Sequence, residues 1–96
     1  MIHIVKTLPE YFEASLRGDK LFECRKNDRD YKVEDVFISR EWDKTKGYSG
    51  RVSLWRITYV LSRPDYVKDC FVNLGIKPLY GALGENVDEW KVGAEE

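Results

Sequence analysis

The sequence has few cysteines, a single histidine and no long apolar run, and each shortage excludes a class of protein. Cys24, Cys70 and His3 are the only cysteines and histidine among 96 residues, too few and too widely spaced for a zinc-binding pattern. We therefore predict no metal site and no cofactor. Because free cysteines are usually buried, we also expect both thiols to be buried and reduced.

Membrane and secretion signals are also missing from the sequence. No apolar run approaches the length of a membrane span, and no signal peptide opens the chain. We therefore expect a cytoplasmic protein with no membrane partner. The length fits one domain, which we expect to be monomeric, and a hydrophobic fraction of 43% is typical of a folded globular chain.

Neither sign of charge is in excess, but the two signs are unevenly placed. Residues 1–84 hold 15 basic and 12 acidic residues and carry a net charge of +3, whereas residues 85–96 carry −4. A mildly basic body suits an anionic ligand, yet it is far from the dense basic patch of a duplex DNA-binding protein. We predict a domain over residues 1–83 and an acidic, flexible tail over residues 84–96.

Capping residues predict one helix near the start of the chain. Thr7 and Glu10 form a capping box, Pro9 lies in the first turn, and Gly18 provides a C-terminal stop. The helix should cover about residues 8–17.

Alternating apolar residues predict five or six strands around this helix. They are expected at Ile2–Val5, Leu21–Lys26, Asp35–Trp42, Arg51–Arg63 and Lys68–Ile76, with a sixth short element at Leu79–Leu83. We expect Trp55 and Tyr59 in the core, and Cys70 on the inward face of the fifth strand. This order predicts a small α+β, mostly-β barrel with the helix at one end.

The segment from Gly18 to Asp30 concentrates polar and charged groups at a helix exit, a strand and the following turn. Strand alternation places Phe22 and Cys24 on one face, and Glu23 and Arg25 on the other. We expect the first pair to face the core, the charged pair to face outward, and any ligand site to lie here. The competing interpretation is a solvated surface whose opposite charges merely screen one another.

A series of short motifs in a characteristic order extends over roughly residues 1–76. They are His3–Lys6, Leu8–Phe12, Gly18–Lys20, Phe22–Arg29, Val33–Asp35, Arg40–Trp42, Tyr48–Arg51 and Ile57–Leu61. With these motifs in this order, the chain resembles the activating-signal-cointegrator homology (ASCH) domains of the PUA-like superfamily, and most closely a small ASCH-like family of bacteria and phages.

The resemblance implies a PUA-like pseudobarrel of five or six strands that binds RNA or modified nucleotides in a cleft beside the first helix. Some ASCH proteins are hydrolases of acylated cytidine, with a threonine three residues after a Gly-x-Lys lysine as the proposed nucleophile. Lys20 matches the lysine, but Glu23 stands at the threonine position, so this activity is not carried over. Glu34 replaces the glycine of a Val-Gly-Asp turn and is strained if that turn needs positive φ.

Side-chain chemistry gives these residues roles in binding. Cations such as Lys20, Arg25 and Arg29 suit phosphate or a carbonyl edge, and Glu23 can accept a hydrogen bond from an exocyclic amine. The expected ligand-binding residues are His3, Lys6, Lys20, Glu23, Arg25, Asn27, Arg29, Trp42 and Tyr48, with Tyr31 as a further stacking aromatic.

We expect RNA, single-stranded nucleic acid or a modified nucleotide as the partner. Two alternatives stay open. One is a hydrolase in which Lys20 and Glu23 form an acid–base pair. The other is a protein-interaction domain that takes an acidic segment of a protein partner.

Overall fold

The computed structural model describes residues 1–84, and the side chains of residues 1–79. Its elements are β1 (Ile2–Thr7), α1 (Pro9–Leu16), β2 (Phe22–Lys26), β3 (Val36–Asp43), β4 (Gly47–Leu61) and β5 (Phe71–Gly84). The fold is mostly β with the helix directly after the first strand, as predicted. The sixth short element is instead the C-terminal part of β5. The predicted acidic tail lies outside the described residues, apart from Gly84.

The five strands form one curled sheet, a half-barrel, in the order β1-β3-β4-β5-β2. β1 and β3 are parallel, and the other neighbouring pairs are antiparallel. A parallel pair needs a long crossover, which α1 and β2 provide. In this order β1 and β2 are the outer strands, and within residues 1–84 each has one edge that pairs with no other strand.

Apolar side chains pack in two clusters on opposite faces of the sheet. The larger cluster contains Val5, Tyr31, Phe37, Trp55, Ile57, Val72, Leu74 and Ile76. The smaller contains Ile4, Ile38, Val52 and Leu54. Neighbours such as Ile4 and Val5 belong to different clusters because successive strand residues point to opposite faces. Tyr31, expected as an exposed stacking residue, is thus a core residue.

The helix is anchored by packing and not by the predicted capping box. Thr7 belongs to β1, and Leu8 is the N-cap residue, with no side-chain cap. Pro9 occupies the first turn and Gly18, at φ +84°, follows the helix end, as predicted. Phe12 is fully buried. Among residues 1–84, no helix has the length and apolar character needed to cross a membrane.

The prediction that Tyr59 is a core residue is wrong. Trp55 and Ile57 are buried, but the Tyr59 side chain is 63% exposed. On β5 the adjacent residues Gly75 and Ile76 pair with Tyr59 and Ile57, so β4 has one extra residue, Thr58, at this point. Such a bulge reverses the alternation that follows it. The partly buried Val60 consequently packs against the core in place of Tyr59.

The prediction of buried cysteines is also wrong, since Cys24 and Cys70 are both exposed. Cys70 precedes β5 and has a left-handed backbone with φ +69°. Its carbonyl oxygen accepts a hydrogen bond from the backbone N–H of Asn27 at 2.8 Å. This bond fastens the end of β2 to the start of β5, and the inward alternation of β5 begins at the buried Val72.

Candidate functional site

The side chains of β2 face opposite to the prediction. Phe22 is 51% exposed and Cys24 is exposed, whereas Glu23 is only 4% exposed and Arg25 is half-buried. Periodicity separates the two faces of a strand, but it does not say which face turns inward. The charged face turns inward here because its carboxylate meets two cations inside the half-barrel. The segment remains a site candidate, with its charges gathered inside a cleft.

The helix exit positions Lys20 at the start of this cleft. Gly18 adopts the left-handed conformation that a helix stop favours. The backbone N–H groups of Asp19 and Lys20 both donate to the carbonyl oxygen of Ala14, at 3.0 and 3.1 Å. The Lys20 Nζ then donates to the Phe22 carbonyl oxygen at 2.8 Å. A rigid turn therefore fixes this ammonium beside β2.

Glu23 is the anionic centre of the cleft. Its Oε2 accepts a hydrogen bond from the Lys20 Nζ at 2.8 Å, and its Oε1 accepts one from the Arg25 Nε at 3.2 Å. A buried carboxylate is tolerated when it is paired in this way. Glu23 therefore holds the two cations in fixed positions.

Arg25 crosses the gap between the two outer strands. Its Nη2 donates to the Lys6 carbonyl oxygen at 2.6 Å and to the Thr7 Oγ1 at 3.1 Å. The Thr7 hydroxyl also accepts a hydrogen bond from the Ser39 Oγ. The guanidinium Cζ lies 5.6 Å from the ring centroid of the buried Phe37. One side chain thus closes the seam that the sheet leaves open between β1 and β2.

These elements enclose a cleft of about 500 Å³. This volume lies within the range of roughly 300–1,000 Å³ that small-molecule sites occupy. Its lining residues are Lys6, Thr7, Leu8, Tyr11, Lys20, Phe22, Glu23, Cys24 and Arg25. Three cations and one carboxylate give the lining a net charge of +2, so the cleft favours an anionic ligand.

Aromatic rings border the cations of the cleft. The Lys20 Nζ lies 5.2 Å from the ring centroid of Phe22 and 5.7 Å from that of Tyr11. Both rings belong to side chains about half exposed, at 51% and 46%. Exposed rings beside a cation are the elements with which proteins stack single bases.

The structure brings together part of the predicted set. Lys6, Lys20, Glu23 and Arg25 line the cleft, and Trp42 adjoins it because the Lys6 Nζ lies 4.5 Å from the Trp42 ring centroid. The residues that do not line it are His3, Asn27, Arg29 and Tyr48. Asn27 and Arg29 follow β2 at the end away from Lys20, where Arg29 approaches Asp28 at 3.9 Å.

His3 lies in a separate buried cluster. Its Nε2 is 2.7 Å from the Asp35 Oδ2, and its ring is 4.6 Å from that of Tyr31. Burial raises the pKa of Asp35, but hydrogen bonds from His3, the N-terminal ammonium and the Lys32 backbone outweigh this effect. The pKa of Asp35 is therefore below its ordinary value. This cluster joins the chain start to β3 and does not reach the cleft.

Trp42 and Tyr48 are paired on the β3–β4 hairpin next to the cleft. The Arg40 guanidinium lies 3.7 Å from the Tyr48 ring centroid. The turn between the strands is held by Asp43, whose Oδ1 accepts from the backbone N–H groups of Thr45 and Lys46. These two hydrogen bonds lower the pKa of Asp43, and the bond from Thr45 has the larger effect. The hairpin thus presents a cation-stacked aromatic beside Lys6 and Trp42.

Sequence reasoning missed several lining residues, among them Tyr11, Phe22 and Cys24. Tyr11 carried a usable signal, because it is a large aromatic outside the helical stripe of Leu8, Phe12 and Leu16. No such signal exists for Cys24, because its place at the cleft depends on which face of β2 turns inward. Among the described residues, no group of His, Cys, Asp and Glu is arranged to hold a metal ion.

Comparison with known proteins places this cleft in a family. Residues 2–76 match the profile of a family described as a domain of unknown function, DUF3850. The chain belongs to this family. The matched range contains every residue that lines the cleft of this DUF3850 domain.

A phage protein is a relative of this DUF3850 domain. It is described as an uncharacterized 12.9 kDa protein in the GpA 3′ region of Escherichia phage P2. The two are 40% identical over 68 residues, which cover 71% of this chain and 62% of the relative. The chain thus spans less than two thirds of the length of that relative.

Proposed function

We propose that this DUF3850 domain is a PUA-like, ASCH-related module that binds RNA, single-stranded nucleic acid or a modified nucleotide in the cleft between β1 and β2. The observation that carries the proposal is the arrangement around Glu23. Its carboxylate holds Lys20 and Arg25 in place on the lining of a cleft with a net charge of +2. Fixed cations beside exposed aromatic rings suit a phosphate with an unstacked base.

Donors remain available for such a ligand. Among the described residues, the Lys6 Nζ and the Arg25 Nη1 have no hydrogen-bond partner within the protein. An arginine whose other nitrogens are held by the protein loses little entropy when it binds an anion. These groups are the expected phosphate ligands.

A hydrolase remains the second candidate, favoured by the contact of 2.8 Å between the Lys20 Nζ and the Glu23 Oε2. A general base must be able to take a proton from the substrate or its water. Both oxygens of Glu23 already accept hydrogen bonds from cations. This arrangement supports a positioning role for Glu23 and makes binding the preferred function.

The test is a titration of labelled single-stranded RNA followed by fluorescence anisotropy at low salt. Lys20→Ala and Arg25→Ala should each weaken binding by about tenfold or more, because Arg25→Ala removes an expected phosphate ligand and Lys20→Ala removes one positive charge of the lining. The dependence of affinity on salt should also become shallower. Lys77→Ala is the matched control, since Lys77 is exposed on β5 and does not line the cleft.

Thermal melting of each variant separates lost binding from lost folding. Wild-type protein that binds no RNA or nucleotide at low salt, or folded cleft variants that bind like Lys77→Ala, would contradict the proposal. Product analysis with acylated nucleosides and RNA tests the second candidate. Turnover that disappears in both Lys20→Ala and Glu23→Gln would establish the hydrolase instead.

A further inference from the structure

The backbone of β2 offers hydrogen-bonding groups to the cleft as well as side chains. In an antiparallel ladder, residues alternate between those bonded to the neighbouring strand and those whose N–H and C=O point away from it. Leu21 and Asn27 are bonded to β5, through Ile76 and Cys70 respectively. By this alternation Glu23 and Arg25 also face β5, whereas Phe22, Cys24 and Lys26 direct their backbone groups to the open edge.

The side-chain contacts agree with this assignment. The Phe22 carbonyl oxygen accepts the hydrogen bond from the Lys20 Nζ, so it points away from β5. Cys24 is the next residue with the same orientation, and it lines the cleft. No group within the described part of the chain donates to its C=O or accepts from its N–H. The Cys24 N–H and C=O therefore form an adjacent donor and acceptor at the open edge.

Arg25 limits which kinds of ligand can bind at the open edge of β2. An added peptide strand would run along β2 and pair with successive outward-facing residues. The Arg25 side chain crosses the seam to Lys6 and Thr7 immediately after Cys24. It blocks the path of an extended strand toward Lys26, while a compact planar ligand at Cys24 does not meet this obstacle.

We infer that the Cys24 backbone N–H and C=O bind the hydrogen-bonding edge of a nucleobase, while the cations of the cleft bind the adjoining phosphate. The inference rests on the proposed function and narrows it to ligands that carry an unpaired base. Every nucleobase has a neighbouring donor and acceptor, so a single backbone residue can pair with it. Phe22 and Tyr11 border the same space and offer ring faces to the inserted base.

The first experiment measures how much the bases add to the affinity of the ribose-phosphate backbone of RNA. Wild-type protein is titrated with four homopolymeric RNA pentamers and with a pentamer of abasic ribose phosphate. At least one homopolymer should bind about tenfold or more tightly than the abasic pentamer, because a paired base edge contributes this much discrimination. Equal affinities would overturn the inference and leave phosphate binding intact. If no oligomer binds, the proposed function fails together with the inference.

The second experiment removes the N–H. Cys24→Pro should weaken binding of the preferred pentamer by about tenfold, because it removes this donor and leaves the cations of the cleft in place. Lys26→Pro is the matched control, because Lys26 has the same outward orientation and lies outside the cleft. An edge strand tolerates proline at such positions. A folded Cys24→Pro variant with wild-type affinity would overturn the inference.

An NMR titration of the wild-type protein keeps the inference testable if Cys24→Pro does not fold. The Cys24 amide resonance should shift on addition of the preferred pentamer and should not shift with the abasic one. An unchanged Cys24 amide at saturation would overturn the assignment.

Discussion

Replacement of Glu34 by glycine should stabilise the protein. Glu34 has φ +79°. It lies third in the turn Lys32–Asp35, which is closed by a hydrogen bond of 3.1 Å from the Asp35 N–H to the Lys32 carbonyl oxygen. This φ is the value that the third position of a type II turn requires, and glycine is the residue that adopts it without steric cost. The Glu34 N–H also donates to the Ile57 carbonyl oxygen at 2.8 Å, so the turn cannot readily relax.

The expected gain follows from three opposing effects. A left-handed backbone costs a non-glycine residue about 1–2 kcal/mol. Glycine avoids this cost, but its greater conformational freedom in the unfolded chain lowers the free energy of unfolding by about 0.4–1 kcal/mol. The change also removes the exposed ion pair between Glu34 and the Arg56 Nη1, at 3.2 Å, which contributes little. The net result is a free energy of unfolding higher by about 0.5 kcal/mol, equivalent to roughly 2–4 °C in Tm.

Urea and thermal denaturation of Glu34→Gly and Glu34→Ala separate these effects. The alanine variant loses the same ion pair but keeps a Cβ in the left-handed conformation. We expect the glycine variant to be the most stable of the three proteins and to exceed the alanine variant by about 1 kcal/mol. If Glu34→Gly is less stable than Glu34→Ala, the turn does not require positive φ and the reasoning is wrong.

Two further predictions concern the buried cluster and the bulge. Hydrogen bonds lower the pKa of Asp35 in the folded protein. The ionised carboxylate therefore contributes fully to the free energy of unfolding above the ordinary pKa of 3.8, and this contribution is lost as the pH falls through the lower folded-state pKa. Asp35→Asn should therefore destabilise the domain by about 1–3 kcal/mol at neutral pH, and urea denaturation should show this difference shrinking below pH 3.8. If the difference in stability between the wild type and Asp35→Asn does not change with pH, the lowered pKa of Asp35 is contradicted. Trp55→Ala should cost about 3–5 kcal/mol, whereas Tyr59→Ala should change stability by less than about 1 kcal/mol. Similar losses in the two variants would show that β4 alternates without a bulge.

Much of the candidate site was accessible from the sequence. The segment from Gly18 to Asp30 was predicted to hold it. Of the predicted residues, Lys6, Lys20, Glu23 and Arg25 line the cleft that the structure forms there, whereas Asn27 and Arg29 do not. Lys20, Glu23 and Arg25 were predicted from a local pattern, a helix stop followed by a short charged strand, and Lys6 from its place beside the first strand. The Cys24 backbone could not be found in this way, because a sequence does not show which edge of a strand remains unpaired.

The sequence by itself determined the elements of local origin: the helix between Pro9 and Gly18 and the approximate positions of the strands. Steric limits on the backbone and side-chain periodicity operate over a few residues, so they can be read without knowledge of the fold. Only the tertiary structure decided that Glu23 faces inward and Phe22 outward. Periodicity gives a strand two faces of equal standing, and the choice between them depends on contacts made by residues distant in sequence. For β2 those contacts are its pairing with β5 and the crossing of Arg25 to β1, which together create the cleft.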